Sequence, residues 1–346
     1  MTTLTTTQAD RILLAHGGGG EMTAQLLAGH ILPALTNPAL AELTDAAVIR
    51  AGRSRVAITT DSYVVHPLEF PGGDIGKLAV AGTLNDLAMV GARGLALTLG
   101  LILEEGLAMD LLDRVIASIR ETAGGAGVPV VTGDTKVVGK GQADGLFINT
   151  TGIGLPLPQA KLGARRVRPG DRILLSGRIA EHGLTILSQR RGLRFESDLT
   201  SDVAVLAPLV LPLIERFGGA VRWLRDPTRG GVANCLVELA ESAGVAVELD
   251  ESAAPISPTA RHAAEMLGLD PLTIANEGKF IAVVAADQAD GVVEFCRAHE
   301  LGRHAAVIGT VCPEPDGQTG MVELLTQAGG RRIVQRPYGE ELPRIC

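Results

Sequence analysis

Apolar and polar residues fall along this chain in two blocks of short runs, separated by a proline-interrupted stretch. In the first block, residues 56–60 form a β-branched run leading to Asp61, so a carboxylate is expected at a strand end. Asp74 precedes a helical pattern over residues 75–90, which Gly91 stops. Residues 95–103 have the composition of a buried strand, and residues 109–123 the period of an amphipathic helix closed by Gly124 and Gly125. A further strand over residues 128–132 runs directly into Gly133 and Asp134, and a last one over 146–154 ends before Pro156 and Pro158. The second block opens near Arg166. It predicts strands at 172–176, 245–249, 280–285 and 305–311, and helices at 179–190 and at 231–243, the latter capped by Gly244. Strands and helices mix without a strict βαβ rhythm, which points to two α+β domains, over residues 11–160 and 161–335. The Thr-rich residues 1–10 are expected to be disordered. Residues 336–346, with two prolines and a glycine, are expected to form an extended, mobile tail.

Length supports two domains, since 346 residues exceed one ordinary core. Hydrophobic residues at 46% supply core material, but aromatics at 3% leave Leu, Ile, Val and Ala to fill it. A net charge of −8 without a basic block argues against nucleic acid as a partner. The longest apolar stretch, residues 87–103, is broken by Arg93 and several glycines, so no membrane span is expected. No signal-peptide pattern is visible, and Cys235, Cys296, Cys312 and Cys346 show no CxxC spacing; a reduced, cytoplasmic setting follows as the expectation.

Three carboxylates carry the candidate chemistry: Asp61 at a strand end, Asp86 in the Asn85–Asp86 pair on a helix, and Asp134 after a strand. Converging at one sheet edge they would offer hard oxygen ligands for Mg²⁺ and phosphates. Any one of them could equally be a turn or helix cap. Lys136 follows Asp134 closely enough to neutralise phosphate charge. Gly17, Gly18, Gly19 and Gly20 could let backbone N–H groups approach a phosphate, or simply form a hinge. The Gly-Lys pair at Gly76–Lys77 lacks the spacing and the following hydroxyl residue of a P-loop, and no GxGxxG unit follows a strand. Asp226-Pro-Thr-Arg-Gly-Gly231 suits a helix entry at which Arg229 could hold an anion. Glu277 is a candidate general base and Lys279 a candidate phosphate contact. Cys346 lies near Arg344, which favours its thiolate modestly.

Together these segments identify a resemblance spanning the whole chain. His16 through Gly20, Phe70 through Lys77, Asn85–Asp86, Gly133 through Lys136, Asp226 through Gly231, Ala275 through Lys279 and the ending Pro343-Arg-Ile-Cys346 resemble the HypE family of hydrogenase maturation proteins. That family shares a superfamily with aminoimidazole ribonucleotide synthetase, selenophosphate synthetase and thiamine-monophosphate kinase. The resemblance implies a PurM-like fold: an α/β N-terminal domain that forms a β-barrel at a homodimer interface, and an α+β C-terminal domain. It implies ATP held by Gly17, Gly18, Gly19, Gly20, Asp61, Lys77, Asn85, Asp86, Asp134, Thr135 and Lys136, with Mg²⁺ on Asp61, Asp86 and Asp134. It further implies that the carbamoyltransferase HypF loads a carbamoyl group onto Cys346. ATP-driven dehydration would turn that group into a thiocyanate, with Glu277 as base and Lys136 assisting. The cyanide would pass to iron on a HypC–HypD complex for [NiFe]-hydrogenase. Two other readings fit the same residues: an ATP-dependent enzyme acting on a free small molecule, and a non-catalytic scaffold regulated by ATP.

Overall fold

Asp74 opens the helix around which the first half of the chain is built. Its side chain accepts from the backbone N–H groups of Gly76 and Lys77 at 2.7 and 2.9 Å, the N-cap role that short carboxylates fill. The computed structural model describes residues 11–35, 37–193, 199–314, 320–339 and 344–346; residues 1–10, expected to be disordered, and residues 340–343 of the expected tail lie outside them. Ahead of the helix come α1 (Glu21–Leu26), α2 (Leu32–Leu35), β1 (Ala47–Ala51), β2 (Ser54–Tyr63) and the two-residue strands β3 (Glu69–Phe70) and β4 (Gly73–Asp74). The helix itself is α3 (Ile75–Met89), and β5 (Ala92–Glu104), α4 (Met109–Ala126), β6 (Val130–Val138) and β7 (Leu146–Pro156) follow it.

These strands form one sheet in the order β1-β2-β7-β5-β6, antiparallel except for the parallel pair β5–β6. One face carries α3 and α4. β6, the edge strand at the end of the sheet away from β1, stays open along nearly its whole length: Val130, Val131 and Val137 are exposed, Val137 by 70%. Two expected strand ends move. Asp61 lies inside β2, because pairing with β7 continues through Tyr63 opposite Ile148. Asp134 lies inside β6, because pairing with β5 continues through Val138. Gly133 makes that possible, since a Cβ there would sit 2.3 Å from the Leu99 carbonyl oxygen.

The second half contains β8 (Arg172–Leu175), α5 (Glu181–Arg191), α6 (Ala207–Phe217), β9 (Val221–Arg225), α7 (Gly231–Ala243), β10 (Ala246–Asp250), α8 (Pro258–Leu267), β11 (Ile281–Val284), α9 (Ala289–Arg297), β12 (Ala306–Cys312), β13 (Val322–Leu325) and β14 (Arg331–Ile333). Its sheet runs β14-β13-β10-β12-β8-β11-β9, with β10–β13 the parallel pair. The residues of β8 and β11 are almost wholly buried, which explains their unbroken apolar sequence.

Nearly every residue of α3 is buried, as expected for a helix packed on all sides. Asn85 shows what the helix does at the junction of the halves. Its amide donates to the Ala204 and Glu277 carbonyls at 3.0 and 3.3 Å, and its carbonyl accepts from the Leu206 N–H at 2.8 Å. Asn85→Ala strips three buried backbone groups of their partners, so a loss on the order of 3 kcal/mol in unfolding free energy is expected. Denaturant titration checks this; a loss below about 1 kcal/mol would contradict the role.

Candidate active site

Five carboxylates from both halves meet in one cavity of about 220 Å³: Asp45, Asp61, Asp86, Asp226 and Glu277. Arg225 and Arg229 supply the positive charge, and Thr59, Tyr63, Thr228 and Cys346 also line it. Each carboxylate has a local reason for its place. Asp45 sits in the turn just before β1, Asp61 on β2 and Asp86 on α3; Asp226 directly follows β9, and Glu277 precedes β11.

Oxygen atoms of Asp45, Asp86 and Asp226 lie within 4.8 Å of one another. Burial, then Asp61, Asp226 and Asp45, pushes Asp86 well above the carboxylate range. Burial, then Asp45, does the same to Asp226. Asp45 rises from 3.8 to about 6 through burial, with Arg225 opposing. Like charges this close disfavour joint ionisation, and a divalent cation relieves exactly that repulsion. The donor set therefore fits a hard cation such as Mg²⁺. The neighbours hold these acids in position: Thr59 Oγ1 donates to Asp86 at 2.6 Å, Tyr63 donates to Asp61 at 3.1 Å, and Arg225 Nε pairs with Asp45 at 2.8 Å.

Glu277 is almost fully buried, and its Oε1 has no hydrogen-bond partner among the described residues. Burial, followed by Asp226, Asp202 and Asp61, raises it well above the usual range, and Arg229 opposes. Arg229 in turn is held more firmly charged by Cys346, against burial, with Asp61 and Glu277 adding to the effect.

The end of the chain lies in this cavity. Val64 N–H donates to the Cys346 carbonyl at 3.1 Å and His66 N–H to the Arg344 carbonyl at 3.3 Å, an antiparallel extension beyond β2. The Arg344 guanidinium returns to the Val64 carbonyl at 3.0 Å and pairs with Asp144 at 2.5 Å. Ile345 is 5% exposed and packs into the core of the first half. Upstream, the Pro337 and Tyr338 carbonyls accept from the first N–H groups of α1, those of Glu21 and Met22.

The other sequence expectations distribute differently. The expected metal trio Asp61, Asp86 and Asp134 is corrected within one chain: Asp134 is carried away on β6, where its side chain is exposed and pairs with Lys136 at 2.5 Å. Thr135 donates its backbone N–H to Asp134 and shares that location. Asn85 is corrected as a nucleotide contact, since its amide is committed to the junction. Lys77 also lies outside the cavity lining; its Nζ donates to the Gly72 carbonyl at 2.8 Å. Gly17, Gly18, Gly19 and Gly20 are not in the lining either. They back onto Arg229, whose guanidinium donates to the Gly17 carbonyl at 3.1 Å, and a Cβ on Gly19 would meet the Arg229 side chain at 2.5 Å. Asp45, Tyr63 and Arg225 carry no motif or spacing signal of their own in the sequence. Asp226 was visible only as the first residue of its Asp-Pro-Thr-Arg-Gly-Gly segment, where its position directly after a strand was the available signal.

Comparison with known proteins agrees with this architecture. Residues 43–155 match the AIR synthase related protein N-terminal domain and residues 168–321 the corresponding C-terminal domain. The chain is 50% identical over 333 residues to the carbamoyl dehydratase HypE of Azotobacter vinelandii, covering 96% of each chain. Among solved structures, a HypE-HypF complex superimposes with a TM-score of 0.85 at 42% identity, covering 90% of this chain and 99% of that one. The hydrogenase maturation protein HypE in complex with ATP gives 0.82 at 46% identity, covering 97% and 100%. With both halves matched and sequence identity sustained along nearly the full length, the chain belongs to the HypE family, built on the AIR synthase related fold.

Proposed function

We propose that this chain uses ATP to dehydrate a carbamoyl group carried on its own Cys346, leaving a thiocyanate that supplies cyanide for the iron of [NiFe]-hydrogenase. The observation that carries the reading is the seating of Cys346 in the same acidic cavity as Glu277 and the Asp45, Asp86 and Asp226 cluster. An enzyme acting on a free small molecule has no need to place its own terminus there.

The chemistry is a loss of water from S–C(=O)NH₂, and hydroxide is a poor leaving group. ATP supplies a phosphoryl group for the carbamoyl oxygen, so that phosphate departs instead. Asp45, Asp86 and Asp226, with Asp61 beside them, would hold Mg²⁺, which neutralises phosphate charge when bound. Arg229 lies in the cavity with the thiol and offers its guanidinium to the negative charge that builds on the phosphorylated oxygen. Glu277 is the base for the nitrogen protons: Arg229 favours its ionised form, and once ionised its raised affinity makes the carboxylate a stronger acceptor than an exposed Glu. The seated tail closes the cavity against competing water. To be loaded by a carbamoyltransferase of the kind named HypF, the tail must leave this seat; HypC–HypD would receive the cyanide.

The open side of β6 suits a second copy, since an exposed apolar edge strand is otherwise a liability. We place the homodimer there, with β6 of one copy bringing its Asp134, Thr135 and Lys136 toward the nucleotide of the other. A reducing cytoplasmic setting keeps the thiol available.

Loading carbamoyl onto Cys346, adding Mg-ATP and weighing the C-terminal peptide tests the activity. The expected result is loss of one water, slowed about 100-fold or more in Glu277→Gln. An unchanged carbamoyl peptide during ATP turnover would overturn the reading, as would full ATP turnover in Cys346→Ala driven by a diffusible substrate. Val131→Lys with Val137→Lys is expected to yield monomers in sedimentation and to lower ATP turnover; a dimer that persists moves the interface elsewhere.

The cation can be tested through pH. Folding raises the Asp45 carboxyl from 3.8 to about 6. Its stabilising contribution is therefore full below its unfolded value and is lost as pH rises through about 6. A bound cation competes with that proton. The rise in melting temperature on adding Mg²⁺ is expected to be small at about pH 5 and to grow toward about pH 8, and to shrink in Asp226→Asn. A shift independent of pH would exclude these carboxylates as ligands.

A further inference from the structure

His182 is wholly buried one residue into α5, and the mechanism above does not use it. Its Nε2 lies 2.9 Å from the Ile345 carbonyl oxygen and its Nδ1 2.7 Å from Ser201 Oγ. A carbonyl only accepts, so Nε2 must carry the proton and Nδ1 must accept from the Ser201 hydroxyl. Ser201 Oγ also accepts from the Val203 N–H at 3.2 Å, which aims its own proton at the ring. Phe70 meets the imidazole edge to face, 5.6 Å between centroids and 84° between planes, and blocks its rotation.

The backbone that carries this ring is unusual. Ala180, the residue before α5, has φ of +74°, a conformation that a non-glycine residue adopts only when its surroundings impose it. Two hydrogen bonds impose it here: Ala180 N–H donates to Asn276 Oδ1 at 2.8 Å and Gly183 N–H to the Ala275 carbonyl at 3.1 Å. Ala275 and Asn276 directly precede Glu277. The start of α5 and the candidate base are thus fastened to each other.

We infer that His182 is a positioning residue that fixes the register of the seated C-terminus, holding the Ile345 carbonyl so that Cys346 is presented toward Glu277. Ile345 is buried in the core while Cys346 lines the cavity, so a slip of one residue would put Ile345 where the thiol belongs. Backbone hydrogen bonds from Val64 and His66, and the Arg190 guanidinium on the Arg344 carbonyl, supply attraction along the segment, and the imidazole fixes the Ile345 carbonyl. The inference rests on the dehydratase reading only in naming Glu277 as the group the thiol is brought to.

Two measurements on the full chain, made without ATP or carbamoyl, test it. Nitrogen-15 NMR of the His182 ring is expected to show the neutral Nε2–H tautomer; the Nδ1–H tautomer would overturn the inference without any substitution. Alkylation of Cys346 by iodoacetamide, followed by mass spectrometry, reads how often the tail leaves its seat. His182→Leu is expected to speed it about fivefold, the equivalent of one net hydrogen bond, while Cys312 alkylates at its original rate. His182→Gln, which keeps a donor near the Nε2 position, is expected to restore slow alkylation. Equal acceleration at Cys312 marks general loosening and overturns the specific role, as does an unchanged Cys346 rate in folded His182→Leu. Because neither readout involves water loss, failure here leaves the dehydratase reading intact, and failure of that reading leaves the seat.

Discussion

The rest of the molecule is arranged around a repulsion. Five carboxylates share a small cavity with two guanidiniums, a distribution that two halves of a chain would not adopt without something to hold them together. Asp45 and Asp61 come from the segments around β1 and β2, Asp86 from α3, and Asp226 and Glu277 from the second half. The response to the repulsion is visible in the raised proton affinity of Asp45, Asp86, Asp226 and Glu277. In the free chain the excess charge is relieved by protons; a bound divalent cation would take over that role. The site is thus poised electrostatically, and its affinity for a cation comes from the same closeness that makes it costly to assemble.

What holds the halves against that repulsion is apolar burial and a few committed polar groups. α3 is buried along nearly its whole length, and Asn85 on it bonds to backbone atoms of residues 204, 206 and 277. Asp202 contributes from the other side, pairing with Lys279 at 3.2 Å and accepting from the Glu277 N–H at 3.1 Å. Gly278 allows this approach, because a Cβ there would collide with the Asp202 carbonyl oxygen. Asn85 and Lys279 therefore serve the site through the scaffold, although each sits in a segment that invites a direct phosphate role. Arg225 is a similar case: it ties Asp45 to Glu238 of α7, with Nε and Nη2 bonded at 2.8 and 3.0 Å.

The sequence was informative where structure is local. The cap at Asp74 and the helix from Gly231 to Ala243 follow from neighbours a few residues away, as does the amphipathic helix from Met109, although it runs through Gly124 and Gly125, expected to close it, to a cap at Gly127. Strand ends were less legible, because pairing across the sheet sets them: β7 extends β2 past Asp61, and β5 extends β6 past Asp134. That extension decides chemistry, since it sends Asp134 outward on an edge strand rather than into the cavity with Asp86. Asp45 had no signal of its own, being one acid in a turn before a strand. Its significance arises only when β1, α3 and the end of β9 are brought together in space. Cys346 was legible for a different reason: the ending Pro-Arg-Ile-Cys marks the family, although nothing in its composition says where it docks.

The seat of that terminus must be tight enough to place a thiol and loose enough to release it. Burying Ile345 contributes about 1.5–3 kcal/mol, and hydrogen bonds that include those from Val64, His66, Arg190 and His182 and two from Arg344 contribute about 1 kcal/mol each. Against this, fixing three backbone residues costs about 3–6 kcal/mol and ordering the Ile and Arg side chains about 2–3 kcal/mol more. The sums nearly cancel. A near balance is what a carrier segment requires, because a seat stronger by several kcal/mol would keep the thiol from any loading partner. It also explains why small contributions matter here: with little net free energy, one imidazole hydrogen bond shifts the seated population measurably, whereas the same bond deep in a core would go unnoticed.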